Sequence, residues 1–339
     1  MTLALDQSSQ APVGWQDNPV DALLRVEQLS IDLLDRDRRV PIVEGLSLEI
    51  GKAEFFALVG ESGSGKSITC FALMNLLAPN LEVRGRAHIE GRSLLSREPA
   101  VAASQHNIAM IFQNPSQCLN PVRSIGFQLV EVLRHSQGLT RSQARGSARE
   151  HLQEVGLSEP ERIMRSYPHQ LSGGMNQRVM IALALASQPA LLIADEPTSS
   201  LDVTTQSQIL DLVDRLRLER GMSILFVTHD LATAAERADR AGVLYAGRLV
   251  EYGSASSVFG EPRHRYTDGL LSSVPRFGGT PERLEAMEGY VPSPGARPKG
   301  CRFAPRCSSA SGRCDSETPD LSGSFTHSAA CFHPIGTLR

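Results

Sequence analysis

The stretch Gly60-Glu61-Ser62-Gly63-Ser64-Gly65-Lys66-Ser67 follows the apolar run 55–59 and precedes a predicted helix. A glycine-rich turn between a strand and a helix lets backbone N–H groups point at phosphate oxygens, and the helix N-terminus favours an anion. Lys66 is placed to reach the terminal phosphates of a nucleotide, and Ser67 to bind Mg²⁺. A simple surface turn would explain the glycines but not the Lys-Ser ending. We therefore predict a nucleotide site at residues 60–67, here called the phosphate loop.

A second pattern is the pair of carboxylates, Asp195 and Glu196, that follows the apolar run 191–194. Adjacent acids at a strand end are often only solvated charge, but a preceding phosphate loop favours a catalytic interpretation. One carboxylate can hold the magnesium shell while the next polarises the attacking water. We therefore predict Asp195 as a magnesium ligand and Glu196 as the catalytic base of hydrolysis.

Between these two patterns lies Leu171-Ser172-Gly173-Gly174-Met175-Asn176-Gln177-Arg178, a Ser-Gly-Gly turn that opens a helix rich in Ala, Leu and Ile. Such a turn can point free amides at a phosphate, but it would crowd the phosphate of its own loop. With these three motifs in this order, the chain resembles the ATPase subunits of ABC transporters. The resemblance implies a head-to-tail dimer in which Ser172, Gly173 and Gly174 act on the nucleotide held by the partner.

Three further elements of that family are present in the same order. Gln113 follows the apolar segment 108–112, Ser200-Leu201-Asp202 follows the acidic pair, and His229 follows the apolar run 224–227. The resemblance implies that Gln113 contacts magnesium and water, that Asp202 lies in a loop crossing the dimer interface, and that His229 contacts the γ-phosphate. Taken singly, Gln113 would be a capping or surface residue and His229 a structural histidine. Their order and strand-end placement favour the catalytic interpretation.

Composition narrows the function classes. The chain has 339 residues, 41% of them hydrophobic, which predicts about two domains and a sizeable core. A net charge of −3 and a pI near 6.3 provide no basic field for nucleic acid, so we expect no nucleic-acid partner. The longest apolar runs fall far short of the roughly 20 residues that a transmembrane helix needs. We therefore expect a cytoplasmic protein.

Apolar periodicity predicts a strand at residues 23–34 and a helix at residues 67–77. The alternation of strands and amphipathic helices after residue 190 predicts a parallel α/β sheet. The predicted fold is an α/β P-loop NTPase of the ABC type with an inserted helical subdomain and a small Cys-rich C-terminal extension. We predict a flexible N-terminal arm (1–22), an ATPase core (23–122 and 169–260), the helical subdomain (123–168) and the extension (261–339).

The extension holds four of the six cysteines, Cys301, Cys307, Cys314 and Cys331, with five, six and sixteen intervening residues. Disulfides are disfavoured in the cytoplasm, whereas four thiolates can bind zinc or an iron–sulfur cluster. The tail resembles that of oligopeptide and dipeptide importer subunits, a family with a [4Fe–4S] cluster here. The resemblance therefore implies an iron–sulfur cluster, with zinc, or four free thiols, as alternatives.

The sequence motif Asn114-Pro115-Ser116…Leu119-Asn120-Pro121 also resembles that of the peptide and nickel branch of ABC importers. The implied function is the ATP-hydrolysing, energy-coupling subunit of a binding-protein-dependent importer of di- or oligopeptides. The implied partners are a second ATPase subunit, two permeases and an extracytoplasmic solute-binding protein. In this family the second ATPase subunit is usually a paralogue. The implied location is peripheral, on the cytoplasmic face of the inner membrane. The alternatives are an importer of nickel or metal chelates, a non-transport ABC ATPase, and a redox-sensing regulator.

Overall fold

The computed structural model describes residues 22–35, 38–95, 107–199, 201–273 and 287–336, without the side chains of residues 116 and 117. The predicted N-terminal arm lies outside the described residues except for Ala22, and so does Ser200. The chain divides into two compact units, one drawn from Met1–Pro99 with Val227–Arg339 and the other from Ala100–Phe226. We call them the first and the second unit.

The first unit opens with two strands of fourteen residues, which pair antiparallel along most of their length. They belong to a four-stranded sheet in the order β2-β1-β4-β5. The third strand is different, because all five of its residues are buried, as expected for a strand covered on both faces. The elements are β1 (Ala22–Asp35), β2 (Arg38–Gly51), β3 (Phe55–Val59), α1 (Lys66–Leu73), β4 (Leu81–Ile89) and β5 (Arg92–Ser93).

The second unit combines parallel strands with helices, several of which have clear N-caps. Ser124 and Thr140 cap α3 and α4 by accepting a hydrogen bond from the backbone three residues on, which satisfies a free N–H group. β6 and β7 run parallel, with Ile108 opposite Leu191. The elements are β6 (Ile108–Ile111), α2 (Pro115–Cys118), α3 (Ile125–Gln137), α4 (Arg141–Glu154), α5 (Pro160–Arg165), a 3₁₀ turn (Pro168–Gln170), α6 (Gly173–Leu185), β7 (Leu191–Asp195), α7 (Val203–Arg220) and β8 (Ser223–Thr228).

After β8 the chain returns to the first unit. There β3 pairs parallel with the strand Arg240–Tyr245, which pairs antiparallel with the strand Arg248–Ser254. The C-terminal segment, defined here as residues 287–336, adds two further strands beyond Arg248–Ser254. The C-terminal segment is therefore part of the sheet that carries β3. The elements are α8 (Leu231–Arg237), β9 (Arg240–Tyr245), β10 (Arg248–Ser254), α9 (Ala255–Gly260), α10 (Arg265–Ser272), 3₁₀ turns (Pro294–Ala296 and Ala304–Arg306), α11 (Gly312–Ser316), β11 (Ser322–Ser324) and β12 (His327–Ala329).

Aromatic side chains join the C-terminal segment to the core of the first unit. Tyr245 on β9, Tyr266 on α10 and Phe303 have ring centroids 4.5 to 5.5 Å apart and are all buried. Aromatic rings at these separations stabilise a core beyond the area they bury. Within the residues described, none of the helices is both long enough and apolar enough to span a membrane.

Candidate functional site

The phosphate loop connects β3 to α1 through three glycines in the left-handed half of backbone space. Gly60, Gly63 and Gly65 have φ angles of +151°, +79° and +111°. A Cβ at Gly60 would lie 2.2 Å from the backbone oxygen of Leu244, which is a severe clash. At Gly63 no described heavy atom lies within 4 Å of the Cβ position. The loop is therefore closely packed at its start and open at its middle.

Hydrogen bonds within the first unit hold the loop in shape. Lys66 is only 5% exposed, and its Nζ donates to the backbone oxygens of Gly60 at 2.7 Å and Glu61 at 3.1 Å. The backbone oxygen of Ser64 accepts a hydrogen bond from the Gly247 N–H at 2.7 Å. The side-chain Oγ of Ser64 is buried and has no hydrogen-bond partner among the described residues. A glycine-rich turn that is open at Gly63 and carries the Lys66 ammonium group fits the phosphates of a nucleotide.

The C-terminal segment holds one residue of the loop directly. Arg306 donates two hydrogen bonds to the Glu61 carboxylate, at 2.7 and 3.0 Å, and the Tyr266 hydroxyl accepts from Glu61 N–H at 2.9 Å. Arg306 Nε also donates to the backbone oxygen of Glu288 at 2.9 Å. The hydrogen bonds to Glu61 raise the pKa of the Arg306 guanidinium. Two-pronged Arg–carboxylate pairs are strong and fix orientation. Sequence reasoning missed Arg306, because its partner lies 245 residues away.

In the second unit, two predicted catalytic residues meet. Gln113 follows β6 and Glu196 follows β7, and Gln113 Nε2 donates to Glu196 Oε2 at 3.1 Å. Asp195 is the last residue of β7 and is only 5% exposed. Glu196 has a φ of +45°, an uncommon conformation for a residue with a side chain. The parallel neighbours β6 and β7 thus bring an amide and a carboxylate into direct contact.

The Ser-Gly-Gly turn begins α6 and is open to solvent. Ser172 is the N-cap of α6, its Oγ accepts from Met175 N–H at 3.3 Å, and both Ser172 and Gly173 are exposed. A Cβ at Gly174 would lie 3.1 Å from Thr205. The turn therefore lies beside the first residues of α7.

Asp202 belongs to the same surface. It caps α7 by accepting hydrogen bonds from the Thr205 N–H at 3.0 Å and the Thr205 hydroxyl at 2.7 Å. These bonds hold the pKa of the Asp202 carboxyl below its usual range. Asp202 is exposed, so the second unit presents it and the Ser-Gly-Gly turn on one open surface.

His229 lies in the first unit, as does the phosphate loop, whereas Gln113, Asp195, Glu196, the Ser-Gly-Gly turn and Asp202 lie in the second. His229 is exposed and follows β8 directly. Asp230 comes next and caps α8 by accepting from Ala232 N–H at 3.0 Å and Thr233 N–H at 3.2 Å. The histidine is thereby held between a strand end and a capped helix.

The predicted [4Fe–4S] cluster is wrong. Cys301, Cys307, Cys314 and Cys331 line one small cavity of about 10 Å³, room for a single water at most. Within the described chain, no group of three or more His, Cys, Asp or Glu side chains is arranged to hold a metal ion, so the zinc alternative also lacks a site. Burial raises the pKa of Cys301 and Cys331, which favours thiols over metal-binding thiolates.

Comparisons with known proteins support the ABC transporter resemblance that the nucleotide motifs indicated. Residues 43–199 match the ABC transporter family, and residues 250–314 match the oligopeptide/dipeptide transporter C-terminal region. The chain is 45% identical over 306 residues to the oligopeptide transport ATP-binding protein AppD of Bacillus subtilis, which covers 89% of this chain and 93% of that protein. It is 43% identical over 307 residues to the dipeptide transport ATP-binding protein DppD of Escherichia coli, with 88% and 93% covered.

Two solved structures have a similar fold. One is cbiO1 of Clostridium perfringens, part of the ABC transporter complex cbiONQ, with a TM-score of 0.60, 27% identity, and 71% of this chain and 91% of that one covered. The other is the ATP-binding cassette MJ0796, a dimer bound to ADP and Pi in a post-hydrolysis state. Its TM-score is 0.60 at 27% identity, and the match covers 68% of this chain and 98% of that one.

These likenesses and the phosphate loop define an α/β P-loop domain of the ABC ATPase class. Within that class, the chain belongs to the ATP-binding subunits of oligopeptide and dipeptide ABC transporters. The family predicted from the sequence is thus confirmed, together with the transport-coupled ATPase role of its subunits, and ATP with Mg²⁺ is the expected cofactor.

Proposed function

We propose that this chain hydrolyses ATP to drive a binding-protein-dependent importer of di- or oligopeptides. The observation that carries the proposal is the pair of hydrogen bonds from Arg306 to Glu61, at 2.7 and 3.0 Å. Arg306 lies in the region that matches the peptide transporters, and Glu61 lies in the phosphate loop. One contact thus links the peptide-branch segment to the nucleotide site. The relatives are named as oligopeptide and dipeptide transport proteins, which supports the same substrate class.

The phosphate loop would hold the ATP phosphates through its amides and Lys66. Ser67, Gln113 and Asp195 would hold Mg²⁺, which neutralises phosphate charge when it is bound. Glu196 would polarise the attacking water and His229 would stabilise charge at the γ-phosphate. The hydrogen bond from Gln113 supports this role of Glu196, because it orients the carboxylate.

The Ser-Gly-Gly turn and Asp202 would complete the nucleotide site of a second ATPase subunit. In this family the second subunit is usually a paralogue. The exposure of the turn and Asp202 on one surface supports this role, since a turn that served its own chain would not need to face outward. The dimer described for the ATP-binding cassette MJ0796 also supports it. Two permeases and an extracytoplasmic solute-binding protein would complete the complex, with the chain peripheral to the inner membrane on its cytoplasmic face.

The domain organisation that we propose remains the one predicted from the sequence. The ATPase core would comprise residues 23–122 and 169–260, with residues 1–22 as an arm. Residues 123–168 would form the helical subdomain, which contains α3, α4 and α5. Residues 261–339 would form a C-terminal extension whose four cysteines are free thiols.

Purification of the tagged chain from detergent-solubilised membranes of its own host tests the proposal. Mass spectrometry is expected to identify two permeases, a second ATPase subunit and a solute-binding protein in fixed ratio. That binding protein can then be titrated with di- and oligopeptides and with nickel. Recovery of a complex without permeases would contradict the transport role, and binding of nickel but not peptides would contradict the substrate class.

A further inference from the structure

The first unit contains a cavity of about 620 Å³ whose role the ATPase mechanism does not explain. Its lining combines apolar side chains, such as Leu249 and Phe303, with the charged side chains of Glu44, Arg248 and Arg302. This volume lies within the usual range for pockets that bind small organic molecules. In the described structure, none of residues 60–67 lines it, so the cavity is separate from the phosphate loop.

Three guanidinium groups surround the Glu44 carboxylate, and two of them, those of Arg248 and Arg302, line the cavity. Glu44 accepts a hydrogen bond from Arg248 at 3.1 Å, is in direct contact with Arg302, and lies 3.8 Å from Arg297 Nη1. The Arg297 and Arg302 side chains are 6% and 8% exposed. Three positive charges against one negative charge leave two that the cluster does not neutralise. Uncompensated charge at buried positions is costly, so the cluster favours a further anion.

Hydrogen-bond acceptors are also too few for these groups. Arg297 donates to the backbone oxygens of Pro41 and Ile42 at 2.7 and 2.8 Å, and Arg302 donates to the Ala246 oxygen. Among the described residues, the buried Nε groups of Arg297 and Arg248 have no acceptor. A guanidinium carries five N–H donors, and buried donors without acceptors are unusual in native proteins. Burial, and repulsion from its neighbours, lower the pKa of Arg297 to about 10.

The other titratable groups at the cavity do not cancel this charge. Burial lowers the pKa of His264 to about 4, so its ring is neutral at physiological pH. Burial raises the pKa of the Cys301 thiol, which is then neutral as well. Asp320 also lines the cavity but is exposed, so water screens it from the buried guanidiniums. Arg248 and Arg302 therefore leave one net positive charge against Glu44 at the wall of the cavity.

We propose that this cavity binds a small organic oxyanion, a carboxylate or a phosphate monoester that carries an apolar body. Arg248 and Arg302 would pair with the oxyanion, since the planar fork of a guanidinium matches carboxylate and phosphate oxygens. The apolar body would pack against Leu249 and Phe303. The proposal does not rest on the transport role, because the cavity and its charges belong to the described chain alone.

Fluorescence titration of the full chain with anilinonaphthalenesulfonate tests this site, because the probe is an anion with an apolar body. Arg248→Gln is expected to weaken probe binding about tenfold, the size of one charge-assisted hydrogen bond. Glu44→Gln is expected to strengthen it, because the competing carboxylate is removed. Arg86→Gln removes a matched arginine of the same unit, paired with Glu27 outside the cavity, and should change nothing. Probe affinity should stay the same when MgATP saturates the phosphate loop, which separates this site from the loop.

Displacement of the probe then defines the ligand. Phenylpropionate and phenyl phosphate are expected to displace it, and their relative potency distinguishes a carboxylate from a phosphate ligand. Phenylpropylamine, of similar size but opposite charge, should not displace it. Equal displacement by the amine, or unchanged probe affinity in Arg248→Gln, would overturn the proposal. Should Glu44→Gln fail to fold, Arg248→Gln still decides, because the Arg248 side chain is 35% exposed and makes only one of the contacts to Glu44.

Discussion

The phosphate loop and the Ser-Gly-Gly turn are both glycine-rich starts of helices, yet their surroundings differ. In the phosphate loop a Cβ at Gly60 would lie 2.2 Å from a backbone oxygen, and Lys66 is buried against the loop it serves. At the Ser-Gly-Gly turn, Ser172 and Gly173 are exposed, and among the described residues a Cβ at Gly173 would meet only Leu201, at 3.9 Å. The first motif is held by close contacts within its own chain, whereas the second is exposed.

This difference agrees with the work proposed for each motif. A site that stabilises phosphate charge gains from dipoles that are already fixed before the ligand binds. A surface that closes on a partner's nucleotide must instead remain accessible until the partner arrives. The first motif should therefore be sensitive to substitutions throughout its supporting shell, while the second should tolerate them in the isolated chain.

The largest expected effect comes from Gly60→Ala. The added Cβ would meet the Leu244 oxygen in a backbone conformation that disfavours alanine, so we expect a loss of more than about 3 kcal/mol in unfolding free energy. Gly173→Ala is the matched control, and because alanine favours a helix more than glycine does, its unfolding free energy should change by no more than about 1 kcal/mol. Urea unfolding of both variants measures the difference. Equal stability of the two variants would remove the distinction between the motifs.

Glu196→Gln should lower the ATPase rate at least about 100-fold, because an amide cannot act as the base for the attacking water. ATP affinity should stay unchanged, since binding is assigned to the phosphate loop. Glu219→Gln, on the exposed face of α7, is the control and should hydrolyse ATP at the parental rate. A steady-state ATPase assay with nucleotide titration measures both quantities. Hydrolysis by Glu196→Gln at the parental rate would refute the assigned role.

Protonation of His264 at acid pH should destabilise the contacts that hold the phosphate loop, because His264 caps the helix that carries Tyr266. Its Nδ1 accepts from Tyr266 N–H at 3.1 Å, and burial lowers its pKa from 6.5 to about 4. Because the folded pKa is lowered, the unfolded chain binds the proton first, and stability present above pH 6.5 is lost as the pH falls towards 4. We expect a loss of about 2 kcal/mol between pH 7 and pH 5.

Urea unfolding across this pH range checks the expectation. His264→Asn keeps a capping side chain that does not titrate, so this part of the pH dependence should disappear. His135→Asn, exposed near the end of α3, should retain it. An unchanged pH profile in His264→Asn would show that acid acts on the first unit through another group.

Local sequence patterns predicted the elements that contain the site. The strand predicted at residues 23–34 is β1, Ala22–Asp35, because alternating apolar residues match the two-residue period of a strand. The helix predicted at residues 67–77 is α1, but it ends at Leu73. Asn75 has a φ of +54°, and its left-handed backbone does not continue a helix. Motif order and periodicity thus located the elements better than their ends.

Contacts between distant parts of the chain could not be predicted in this way. Glu44 and Arg302 are separated by 258 residues, and no periodic pattern links them. The cysteine prediction failed for a related reason. Their number and spacing were compatible with a cluster, but spacing does not specify whether four sulfur atoms converge on one centre or how large the space between them is. Convergence depends on packing that only the folded chain defines.

The smallest expected effect concerns the contact by which the C-terminal segment holds the phosphate loop. Arg306→Met removes both hydrogen bonds to Glu61 while preserving most of the buried volume. We expect ATP to bind about tenfold more weakly, the size of one charge-assisted hydrogen bond lost from the support of the loop. Arg306→Lys should recover part of the affinity, because it restores the charge without the two-pronged geometry. Arg313→Met, an exposed arginine of the same segment, is the control and should bind ATP normally. Unchanged ATP affinity in Arg306→Met would mean that the phosphate loop keeps its shape without the C-terminal segment.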